Sequence, residues 1–144
     1  MVVGEEILIG KGIDALIKWF NKRKADKELV HNILMELKIA INNVILHMDL
    51  CKEHGYIKYS KLQIYLPSDI ENINQLLIKY GSKLDLEFYN ELQKFLRYLI
   101  KYNEFISSLY LGAGKKLQEY EENIRSSIKT FTDKLDELIK EIEK

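Results

Sequence analysis

Proline, cysteine and net charge are what this sequence has least of. Its 144 residues include one proline, Pro67, and one cysteine, Cys51, and 22 Lys and Arg are matched by 22 Asp and Glu. So little proline permits long, unbroken helices. A lone cysteine excludes an internal disulfide and points to a reducing, intracellular setting. Balanced charge excludes a global attraction to nucleic acid or anionic lipid, so any such binding has to come from a local patch. No run approaches the roughly 18 apolar residues that span a bilayer, and Glu5 and Glu6 stand where a secretory signal needs positive charge. Nothing is low in complexity, and the 47% hydrophobic content is that of a folded chain. The expectation is a soluble cytoplasmic protein, with the inner face of a membrane as the other location.

What is present is helical periodicity. Ile9, Ile13, Leu16, Ile17 and Phe20 recur at three and four residues, which predicts a first helix from about residue 5 to 24. Leu29, Ile33, Leu37, Ile41, Val44, Met48 and Cys51 continue the spacing towards Gly55, with Asp26 as an N-cap or as part of one continuous helix. Residues 56–67, rich in tyrosine, lose the period and read as a connection. Ser68 and Glu71 then form a capping box that starts a short helix ending at Gly81. Asp85 caps the next helix, whose stripe is Leu86, Tyr89, Leu92, Leu96, Leu99, Tyr102 or Asn103, Ile106 and Leu109. After a break at Gly112-Ala113-Gly114, the residues Leu117, Ile124, Ile128, Phe131, Leu135, Leu138 and Ile142 alternate three and four like a coiled-coil seam. The fold expected is all-α, an up-and-down bundle of four to five helices with one short helix after the Tyr-rich connection. It forms a single domain in which residues 1–25 are an amphipathic helix, 26–111 the body and 115–144 a coiled-coil-like helix.

Three stretches carry a resemblance: Glu36-Leu37 through Asn43, Leu66-Pro67-Ser68-Asp69, and Leu86 to Ile106 with its Tyr102-Asn103 pair. Over about half the chain they resemble a loosely defined set of uncharacterised prokaryotic and phage helical proteins with an N-terminal membrane segment. The resemblance implies helical architecture and membrane proximity, and no known chemistry. Here the N-terminus is charged and amphipathic instead.

Two glycine–lysine stretches invite a phosphate-loop reading. Such a loop needs Gly, four residues, then Gly-Lys-Ser/Thr between a strand and a helix. Gly4 and Gly10 are separated by five residues, Lys11 is followed by Gly12, and LGAGKK at 111–116 lacks the first glycine and the hydroxyl residue. No nucleotide or other cofactor is expected. Glu28 and His31 have the spacing of a di-iron ligand pair but no second copy. His47, Cys51 and His54, at i, i+4 and i+7, are the best metal-like cluster, set against the simpler reading of Cys51 as a small core residue. Cys51 also lacks an orienting third group or oxyanion hole for nucleophilic catalysis. No enzyme activity and no small-molecule substrate are expected.

Two patches suit binding. Ile13, Leu16, Trp19 and Phe20 beside Lys22, Arg23 and Lys24, with Lys18 and Lys27, fit either a helix lying in a lipid interface or one packed on its own bundle. Tyr56, Lys58, Tyr59, Lys61 and Tyr65 alternate aromatic and basic groups that can stack bases and neutralise phosphate, or simply cover the core. The leading expectation is a non-catalytic interaction or scaffolding module that binds a protein partner or a second copy of itself. The alternatives are a peripheral membrane protein held by the first helix and, third, a small nucleic-acid-binding or regulatory factor.

Overall fold

The structure, a computed structural model, describes residues 6–52, 58–107 and 113–144. They form five helices: α1 (Lys11–Arg23), α2 (Lys27–Cys51), α3 (Lys58–Tyr80), α4 (Leu86–Ser107) and α5 (Ala113–Ile142), with a 3-10 turn at Gly81–Lys83. No strand occurs among the described residues.

Helices α2 to α5 close a ring in which each packs on its sequence neighbour and α5 returns to α2. Polar pairs fix the directions. Glu36 of α2 meets Tyr80 of α3, and His47 meets Asp69, so a rise along one helix is a fall along the other. Against α5 the partners are His31 with Glu143, just past the helix end, Lys38 with Asp136, and Asp49 with Arg125. Gln63 of α3 reaches Ser107 of α4, and Tyr98, Tyr102 and Phe105 of α4 surround the Tyr120 ring of α5. Every adjacent pair is antiparallel, which makes α2 to α5 an up-and-down four-helix bundle. Its core is continuous and includes all seven positions of the α5 seam.

The fifth helix is a wedge. Near the start of α4 and the end of α5, α1 packs on α4 and touches α2 and α5. Leu16, Trp19 and Phe20 are buried, Trp19 packs its ring 5.5 Å from that of Phe88, and its Nε1 donates to the Lys83 carbonyl at 2.8 Å. Phe20, Lys24, Ala25 and Lys27 enclose a small hollow with Glu141 and Ile142.

Several boundaries differ from the sequence expectations. The first helix begins at Lys11, not residue 5. Ahead of it, Ile7 and Leu8 turn into the core, with Leu8 (φ 62°) and Gly10 (φ 57°) in the left-handed region that a helix cannot contain. Helices α1 and α2 are separate, and the Asp26 carboxylate caps α2 by accepting from the Leu29 amide. The Tyr-rich connection and the short helix after it are one helix, α3, running through Pro67. Ser68 and Glu71 therefore lie inside it rather than at a cap. The period is continuous once Asp69 is counted among the buried positions: Leu62, Leu66, Asp69, Ile73 and Leu77. Asp85 does directly precede α4, but Leu86, expected on the core stripe, is exposed, and Phe88, Phe95 and Tyr98 are buried instead. Gly55, Leu109 and Gly112 lie outside the described residues.

Candidate interaction surface

The side chains expected to bind metal are held apart from one another. His47 turns towards α3, where its Nδ1 shares a 2.7 Å hydrogen bond with Asp69 Oδ2 and its ring stacks on Tyr65 at 4.6 Å. Cys51 is buried on the core side of α2, and burial pushes its thiol up from the usual range, which leaves little thiolate to coordinate or attack. His54 lies outside the described residues. Glu28 is exposed at the start of α2, and His31 meets Glu143 at 2.9 Å. Among the described residues, no three His, Cys, Asp or Glu side chains gather as a metal site would need.

The glycine–lysine stretches are helix starts. Lys11 and Gly12 are the first residues of α1, and Lys115 and Lys116 lie in the first turn of α5, with the Lys116 ammonium over the Phe105 ring. Gly4 lies outside the described residues.

The aromatic–basic patch is divided. Tyr56 lies outside the described residues. Tyr59 packs against the core, Lys58 bonds Glu121 at 3.4 Å, and Tyr65 gives one face to His47. Lys61 alone among the rest is free at the surface. Such a set offers no row of open ring faces on which successive bases stack.

The first-helix patch is divided too. Leu16, Trp19 and Phe20 face the bundle, and Ile13 is half buried against the core. Lys22 pairs with Asp85 at 3.0 Å and Lys18 lies 3.8 Å from Glu87, both stitching α1 to the head of α4. Lys24 is exposed and Arg23 half buried at the helix end. The apolar side of α1 thus serves its own chain.

Among the described residues Ile64, Ile78 and Leu86 are exposed at 66%, 66% and 73%, and α2 carries a longer apolar face of its own. Ile39, Leu46 and Leu50 are 57%, 55% and 54% exposed. At about 100° per residue they fall, with Met35, Asn42 and Asn43, within an arc of about 100° opposite the core stripe. The ionisable residues beside this arc are all turned sideways. On the α3 side Glu36 accepts from the Tyr80 hydroxyl and from Lys79 at 3.0 Å, and His47 engages Asp69. On the α5 side Lys38 pairs with Asp136, and Asp49 with Arg125 at 2.7 Å. The Tyr80 hydrogen bond holds the Glu36 carboxyl below its ordinary value. Between Asn32 and Leu50 the most exposed residues are Asn32, Ile39, Leu46 and Leu50, none of them charged, while the paired Glu36 and Asp49 at the edges of the face stay partly exposed. In a chain with 31% charged residues, an uncharged outer face four turns long stands out.

This face explains why α2 is long and apolar enough, by length and composition, to cross a membrane, a test that the core helix of a soluble protein also passes. Its apolar residues are shared between two opposite sides. The core periodicity from Leu29 to Cys51 does not contain Ile39, Leu46 and Leu50, whose seven- and four-residue intervals mark the second side in the sequence. A shallow groove lined by Glu36, Ile39, Ala40, Asn43, Asn72 and Leu76 runs beside the stripe towards α3.

No family model matches the chain, and no curated protein or solved structure matches it either.

Proposed function

We propose that this chain is a non-catalytic helical interaction module whose working surface is the outer face of α2. The observation that carries the reading is the uncharged, apolar stripe Ile39–Leu46–Leu50, left open while Glu36, Lys38, His47 and Asp49 beside it are engaged within the chain. A solvated face in a lysine- and glutamate-rich helical protein carries free charge. A face that meets another protein is depleted of it.

Against an interfacial α1 counts the burial of Leu16, Trp19 and Phe20, since a lipid-bound helix needs that side free. Against nucleic acid counts the separation of Tyr59, Lys58 and Tyr65 into intramolecular contacts. The test is a photo-crosslinking amino acid at Leu46, irradiated in an extract of the source organism. An adduct that forms there, and not from a control position such as Lys129 on the exposed side of α5, is the expected result. The absence of any adduct at position 46 overturns the reading.

A further inference from the structure

We draw no further inference here: the strongest candidate, the uncharged cleft between the end of α3 and the head of α4 where Ile78 and Leu86 stand exposed, is an unpartnered apolar surface, and nothing in the structure shows what covers it.

Discussion

A carboxylate that is 1% exposed, as Asp69 is, keeps its place in the core only with help from its surroundings. Help comes from His47 on one oxygen, while Oδ1 has no hydrogen-bond partner among the described residues. Burial raises the Asp69 carboxyl above its ordinary value, and the His47 hydrogen bond pulls the other way. A raised folded-state value means that the native chain holds this proton to higher pH than the unfolded chain does. The site's contribution to stability is thus greatest at low pH and declines as pH climbs from about 4 through the raised value. Asp69→Asn keeps the shape and removes the titration. The variant's urea midpoint relative to wild type is therefore expected to increase with pH across the weakly acidic range and then level off. A difference that is flat, or that shrinks as pH rises, would mean the carboxylate is not penalised by its site. Asp69 is also where the sequence was least legible: a charged residue on an apolar stripe interrupts the pattern from which helices are read. Cys51, small and in phase with its neighbours, was legible as core.

Among the elements, α2, α4 and α5 could be read in advance because their apolar residues repeat without a charged interruption. Even so, the exposed Leu86 and buried Phe88 show that a stripe can be out of phase by a position or two at a helix start. Helix α3 could not be read, for two local reasons that coincide: Asp69 hides the period, and Pro67 followed by Ser68 imitates a helix start. Pro67 is exposed and sits well inside the helix, with Leu62 and Leu66 before it and Ile73 and Leu77 after it all buried. Proline at such a position gives up one amide donor and crowds the carbonyl of Gln63 four residues back. Pro67→Ala is expected to stabilise the protein by about 1–3 kcal/mol, less than the full propensity difference because alanine also loosens the unfolded chain. Chemical denaturation measures it. A destabilised variant would show that α3 depends on the shape proline gives it.

For the whole molecule, the question left open by periodicity was whether α1 belongs to the bundle. An amphipathic stripe reads the same whether it faces a core or a lipid surface, so only three-dimensional packing could separate the two. The Trp19 bond to the Lys83 carbonyl and its contact with Phe88 seat α1 on the chain's own helices. Trp19 is the sole tryptophan, so its fluorescence reports that seat alone. Emission is expected to be that of a buried indole and to stay unchanged when anionic vesicles are added at low salt. A vesicle-dependent shift would mean that α1 leaves its seat for the bilayer. The open face of α2 left a trace in the intervals of Ile39, Leu46 and Leu50, but whether those residues remain uncovered depends on where α3 and α5 come to lie.

The wedge position of α1 also bears on how the chain is made. Its seat is assembled from the turn at Lys83, the head of α4 at Phe88 and the end of α5 at Ile142, all of which follow it in the sequence. During translation α1 emerges before that seat exists, and Trp19 stays uncovered at least until Lys83 and Phe88 have followed it. Docking of α1 therefore waits on elements far behind it in the sequence, and a ribosomal product cut short before α4 would carry an apolar helix face without its main partner.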